Sequence, residues 1–139
     1  MVGYKDLSYS DFFNYYEGLD KEVKDAVLFL QVPFNHLVAL YRHCCLFVFP
    51  SYAEGFGIPP IEALAYGAPL LCSNSTAMAE FELPKEISFD PCEFDELKIK
   101  MKTLLANPLS QGHVAKSVLG KYNWQVIADN YYKLLLKID

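Results

Sequence analysis

The chain has 139 residues, 53% of them hydrophobic and 21% charged, a balance that gives one globular core and argues against disorder. Net charge is −5, Arg42 is the only arginine, and no basic run occurs, which speaks against tracking of nucleic-acid phosphates. A small phosphorylated ligand stays open, because helix N-termini and backbone N–H groups hold phosphate without a basic cluster.

Residues 11–26 read as a helix interrupted or strained at Gly18, and 27–30 (VLFL) as a short buried strand. Pro33 and Asn35 open a second helix, with Leu37, Leu40, Tyr41 and Cys44 at helical spacing. Residues 46–49 (LFVF) form the next strand, and a loop rich in glycine and proline follows from Pro50. A short helix over 61–66 fits Pro59 and Pro60 at its start and Gly67 just past its end. Residues 69–72 (PLLC) are a third strand, the 73–76 stretch offers N-cap residues for a helical turn, and 87–89 is a fourth strand. From Pro91 the chain is helical, breaks at Asn107-Pro108, and resumes until near Gly120. Asn123 caps a last helix, assigned to 124–139, with Trp124, Ile127, Ala128, Tyr131 and Leu135 on one stripe.

Apolar strands alternating with helices predict a single α/β domain over 1–139. It is a partial Rossmann-like parallel sheet of about four strands flanked by helices. Such sheets take ligands at the C-terminal ends of their strands, here the loops after 46–49 and 69–72.

Several residue types are read as structural. Cys44, Cys45 and Cys72 lie in apolar stretches and read as small core residues. With Cys92 they suit neither a disulfide framework nor a metal site, and this favours a reducing, cytoplasmic compartment. The first twenty residues lack the apolar core of a signal peptide, and no apolar run approaches the ~18 residues of a membrane span. His36, His43 and His113 are scattered without ligand spacing, so no metal is expected. Lys98, Lys100 and Lys102 read as a solvated helix face, Arg42 as a surface residue, and Ser51 and Ser73 lack a histidine partner. Phe12, Phe13, Tyr15 and Tyr16 either cover a sheet edge or pack as ordinary core.

The loop that carries the chemistry lies between Pro50 and Pro69. Gly55 and Gly57 bracket Phe56 at the end of a buried strand, where a missing Cβ lets the backbone approach a ligand. The loop then enters a helix N-terminus, which favours negative charge. Glu54 precedes the glycines and Glu62 follows in the helix; both carboxylates can accept bonds from hydroxyls in one crevice. A phosphate flanked by hydroxyls describes a nucleotide sugar. Spacing alone leaves two alternatives: a plain turn for the glycines and a helix-dipole residue for Glu62.

The stretch E54-G-F-G-I-P-P-I-E62 resembles the E-x7-E motif of retaining glycosyltransferases of family 4, the glycosyl transferases group 1. The resemblance extends over about residues 24–137 and includes F-P-S before the motif, E-A-L-A-Y-G-A-P after it, F89-D-P and N123-W124. It implies the C-terminal part of a GT-B donor-binding domain, in an enzyme that moves a hexose-type sugar from a UDP-, GDP- or ADP-sugar to an acceptor glycan, lipid or small molecule. By the same resemblance, Glu54 is the catalytic-site residue on hydroxyls of the transferred sugar, and Glu62 holds the ribose hydroxyls. The backbone of Gly55, Phe56, Gly57 and Ile58 lines sugar and diphosphate, Thr76 and Ala77 present N–H groups to phosphate or sugar, and the backbone near Val32 and Pro33 meets the base. No D-x-D signature occurs, in keeping with a family that needs no metal or other cofactor. The full enzyme would be cytoplasmic or peripheral at the membrane.

The departures are specific. The family's phosphate-binding Arg and Lys belong to a half of the donor domain that nothing here matches, and Gln31 replaces a family glycine. An acceptor-binding domain would have to come from elsewhere, so the chain alone is expected to be inactive. The alternative is a non-catalytic module or subunit that binds a nucleotide sugar or a partner chain.

Overall fold

The structure, a computed structural model, describes Met1 and residues 10–136. The chain divides into two compact units, Met1–Leu37 and Val38–Asp139.

In the first unit, α1 (Ser10–Glu17) and α2 (Lys21–Asp25) are the two parts of the helix expected to be disturbed at Gly18. The break falls at Gly18, whose N–H donates to the carbonyls of Asn14 and Tyr15 at 3.2 and 3.1 Å. Phe12, Phe13 and Tyr16 gather around Phe29, with ring centroids 6.1, 6.2 and 5.2 Å away. These rings therefore have partners within their own unit, whereas Tyr15 is exposed. Residues 27–30 do not form the expected sheet strand: they have no regular secondary structure beyond an isolated bridge at Leu30. Their bonds go to Met1 instead, from Leu30 N–H to its carbonyl and from its ammonium to the Leu28 carbonyl. Leu28 is 63% exposed, so a run of four apolar residues does not mark a strand buried on both faces here.

The boundary between the units falls within α3 (Phe34–His43). Of its apolar stripe Tyr41 is buried, Leu37 and Cys44 are half-buried, and Leu40 is exposed. The second unit holds a parallel sheet of β1 (Phe47–Phe49), β2 (Leu70–Ser73) and β3 (Ser88–Phe89), in that order. Phe47 pairs with Leu70, and Cys72 with Ser88. The α/β architecture is the expected one, with three strands among the described residues rather than about four.

β2 is central and wholly buried, and the period of two along a strand sorts its side chains between two cores. Leu70 and Cys72 pack with Leu64 of α4 (Ile58–Ala65), with Met78 and Phe81 of a 3-10 helix (Thr76–Phe81), and with Val118 of α6 (Gly112–Lys121). Leu71 faces the other way, against Ile87, Phe89 and Leu104 of α5 (Phe94–Ala106). Helices thus cover both faces, which is why the strands read as unbroken apolar runs.

α4 starts at Ile58, three residues earlier than expected. Proline lacks an N–H that the first helical turn would leave unpaired anyway, so Pro59 and Pro60 sit inside the helix. Gly67, at φ +81°, ends it. α7 (Trp124–Leu135) is capped as expected, the Asn123 side chain accepting from Gln125 N–H. Its stripe stays open: Trp124, Tyr131 and Leu135 are exposed and only Ile127 is half-buried. No helix among the described residues is long and apolar enough to cross a membrane.

Lys100 departs from the solvated face predicted for it. Its ammonium donates to the carbonyls of Lys85 and Ser88 at 2.6 and 2.5 Å and to Glu96 Oε1 at 2.6 Å, tying α5 to the turn before β3. The bond from Lys100 holds the Glu96 carboxyl below its ordinary value. A depressed carboxylate contributes stability above the ordinary glutamate value of 4.5 and loses it as pH falls through the depressed one. We expect Lys100→Met to lower unfolding stability in urea by about 1–3 kcal/mol at neutral pH, with a smaller deficit in acid.

Burial pushes the Cys72 thiol up to about 12, and Cys44 is also raised by burial. Cys45 and Cys92 are exposed. A thiol reagent at neutral pH should label Cys45 and Cys92 in the native protein, Cys44 more slowly, and Cys72 only on unfolding, as peptide mapping would show.

Candidate functional site

The parallel sheet sends two loops out of one edge. One leaves β1 through residues 50–57 and enters α4; the other leaves β2 and enters the 3-10 helix at Thr76. The loops are stitched together by hydroxyl groups. Ser73 Oγ, fully buried, donates to the Ser51 carbonyl at 2.7 Å, and Ser75 Oγ donates to the Tyr52 carbonyl at 2.7 Å. Glu54 N–H donates to Thr76 Oγ1 at 3.1 Å, and the same hydroxyl lies 3.4 Å from the Glu54 carbonyl. One stretch of loop is thereby fixed at four points across neighbouring strands.

Glu54 is exposed, and its Oε1 accepts from Ser51 Oγ at 2.8 Å. That bond orients the carboxylate from inside its own loop and leaves Oε2 facing no donor among the described residues. Gly55 stands in open space, with nothing within 4 Å of an added Cβ. Gly57 is different. It is buried, takes φ +84° as the N-cap of α4, and a Cβ there would meet Phe81 Cζ at 3.3 Å and Met78 Cγ and Sδ at 3.4 Å. The left-handed turn redirects the chain into α4 and lets the loop close over the 3-10 helix. Phe56 sets its ring edge-on to Phe81 and Tyr122, at 6.4 and 5.3 Å, and the residue remains 42% exposed. Ile58 is exposed in the first turn of α4. Thr76 holds φ +48°, strained for a β-branched residue, while Ala77 behind it is half-buried.

Glu62 belongs to a second cluster. From α4 its Oε2 accepts a bond from the Tyr41 hydroxyl of α3 at 3.2 Å. Tyr41 is 3% exposed, stacked on Tyr66 at 6.2 Å and edge-on to Phe47 at 5.1 Å. Burial first, and the Glu62 charge second, push its pKa above the ordinary tyrosine value, so the phenol keeps its proton. Arg42 is exposed, with its guanidinium 5.6 Å from the centroid of the Tyr66 ring.

The structure therefore joins Glu54 to Thr76 directly, and packs the Phe56–Gly57 turn onto the 3-10 helix that begins with Thr76 and Ala77. Glu62 shares no hydrogen-bond partner with Glu54 among the described residues; α4 connects them. Val32 and Pro33 belong to the first unit. A hollow of about 300 Å³ lies at the other end of α4 and β2, lined by Leu64, Gly67, Pro69, Gln111 and Ala115, and includes none of these residues. Gln111 there bonds both backbone groups of Leu70, at 2.9 and 3.0 Å. Among the described residues no three His, Cys, Asp or Glu side chains gather as metal ligands.

Sequence reasoning missed Tyr41, read only as an apolar helix position, and the roles of Ser51, Ser73 and Ser75. The available signal for Tyr41 was its type: a tyrosine on a core-facing stripe needs a partner for its hydroxyl.

The family model described as glycosyl transferases group 1 matches residues 15–118. The serotype-specific mannosyltransferase WbdA of Escherichia coli is 35% identical over 108 residues, covering 73% of this chain and 13% of that protein. The O-antigen chain mannosyltransferase RfbU of Salmonella typhimurium is 51% identical over 57 residues, 40% of this chain and 16% of that one. The chain thus spans well under a fifth of the length of these relatives. Sucrose-phosphate synthase from Thermosynechococcus elongatus superimposes with a TM-score of 0.76 at 28% identity, covering 99% of this chain and 37% of that one.

At Gly57 the left-handed backbone and the close Phe81 and Met78 contacts act together. We expect Gly57→Ala to destabilise the protein by about 1–3 kcal/mol in urea unfolding. Gly55→Ala, with open space, should cost less than Gly57→Ala in the same measurement.

Proposed function

The chain belongs to the glycosyl transferases group 1 family, with a fold of GT-B type, and on that premise we propose that it is the donor-binding part of a retaining glycosyltransferase. The reaction would move a hexose-type sugar from a nucleoside-diphosphate sugar to an acceptor glycan, lipid or small molecule. The observation that carries this reading is the clamp between Glu54 and Thr76. It brings an acidic side chain, a glycine turn opening a helix and the start of a second helical turn to the C-terminal edge of a parallel sheet.

Each residue takes a role that its position supports. Glu54, with Oε1 held by Ser51, presents Oε2 to hydroxyls of the transferred sugar. The backbone of Gly55, Phe56, Gly57 and Ile58 runs along the sugar and diphosphate, with the Phe56 ring set edge-on to Tyr122. Thr76 and Ala77 lend N–H groups to phosphate, and Glu62 takes the ribose hydroxyls. Leaving-group charge is met by these N–H dipoles and by cationic groups, which is electrostatic stabilisation without a metal. The family's Arg and Lys contacts have no match in these 139 residues, so we assign those contacts and the acceptor surface to protein outside them. The relatives named as mannosyltransferases make a mannosyl nucleotide the first donor to test. The compartment we assign is the cytoplasm, where nucleotide sugars are at hand, with the membrane surface as a second location for the full enzyme.

Incubated alone with UDP- and GDP-sugars and an acceptor panel, the chain should give no acceptor-dependent transfer, because half a cleft does not orient an acceptor. Calorimetry should show weak binding of GDP or UDP sugars that Glu54→Gln weakens further. Robust turnover by the chain alone, or sugar-nucleotide affinity indifferent to Glu54, contradicts the assignment. Binding without transfer in every pairing with an acceptor domain would make it a non-catalytic module.

A further inference from the structure

We propose that Tyr41 is the positioning residue of Glu62, its hydroxyl holding one carboxylate oxygen so that the other is presented to the vicinal diol of a ribose. The inference rests on the reading that Glu62 takes ribose hydroxyls, and it adds the group that sets that carboxylate's direction.

The geometry assigns the task to one atom. Glu62 lies half-buried on α4, and its bond to a described residue is the one that Oε2 accepts from Tyr41 at 3.2 Å. Oε1 accepts from no described residue, so the carboxylate is half occupied by protein and half open to a ligand. A carboxylate with both oxygens free would rotate about its last bond, and fixing one selects a direction for the second. At 3.2 Å the contact is longer than common for a hydroxyl and a carboxylate, and such bonds tighten once a ligand organises the site.

Tyr41 is built as a rigid support. Its ring is pinned edge-on by Phe47 of β1 and stacked on Tyr66 just past α4, and 3% of the residue is exposed. The phenol is therefore delivered from a strand and two helices at once, and it has no freedom to seek another acceptor. Because burial and the neighbouring charge keep it protonated, it donates at every pH at which the protein is folded near neutrality.

The test compares affinities rather than stability. UDP and GDP, with their 2′,3′-dideoxy counterparts, are titrated by calorimetry into the unaltered chain, Tyr41→Phe, Glu62→Gln and the double variant. Tyr41→Phe removes one atom and keeps the ring against Phe47 and Tyr66; a thermal melt checks its folding. The preference for the ribonucleotide should fall between about threefold and tenfold in Tyr41→Phe, with dideoxy affinity unchanged. Glu62→Gln should abolish most of that preference, and adding Tyr41→Phe to it should change little more. In the unaltered chain, the phenolic carbon signal of Tyr41 should shift with the ribonucleotide and not with the dideoxy compound. If Glu62→Gln loses the preference while Tyr41→Phe keeps it, the positioning role is overturned and the ribose assignment stands. Equal losses of ribo and dideoxy affinity in Tyr41→Phe, or a still Tyr41 signal, also overturn it. A preference untouched by Glu62→Gln, or no nucleotide binding, removes the ribose assignment and the positioning role with it.

Discussion

Four hydroxyl-mediated bonds between the loop after β1 and the stretch from the last residue of β2 to Thr76 hold the site in shape. Parallel pairing of β1 with β2 sets both loops side by side at one edge. Without further ties, such loops would be the softest part of the fold, because their backbone groups face water. Ser73, Ser75 and Thr76 supply the ties, and the buried Ser73 does so where an unpaired hydroxyl would be costly. The acidic side chain of Glu54 is thereby mounted on backbone that a second loop fixes. Such preorganisation suits the binding of a flexible ligand in general, since ordering after binding would consume affinity.

The rest of the second unit supports that edge from below. The alternation along β2 divides the core between two helix layers, and each layer reaches the site by a different route. On one face, Met78 and Phe81 fill the space under Gly57, so the left-handed turn into α4 and the packing of the 3-10 helix require each other. On the other, Lys100 ties α5 to the Lys85 and Ser88 carbonyls at the start of β3. Glu62 is governed separately, through Tyr41 and the aromatic contacts of β1. The two carboxylates answer to different neighbours, and α4 is the rod between them.

The order and kind of elements were legible because they depend on local chemistry. Continuous apolar runs at 46–49 and 69–72 became β1 and β2, Gly18 and Gly67 broke helices, and Asn123 capped α7 as its type dictates. The run at 27–30 misled because apolar content does not say whether a segment joins the sheet of β1 to β3. Lys100 misled because a lysine read from helical spacing carries no sign of the carbonyls that a distant turn brings to it. The α7 stripe has the right period, yet period alone does not supply an element to cover it.

By itself the sequence determined the α/β class, the family, and the loop in which the candidate donor residues lie. The class follows from residue type, spacing and short-range conformational preference, and the family and its donor residues from the resemblance of residues 54–62 and their surroundings to a known motif. Only the tertiary structure decided that Glu54 is held through Ser51 and Thr76 while Glu62 is held through Tyr41. It also separated Gly57, which its surroundings require, from Gly55, which stands open. Each of these depends on which segments meet after the sheet forms, and contacts 21 or 22 residues apart leave no trace in local pattern.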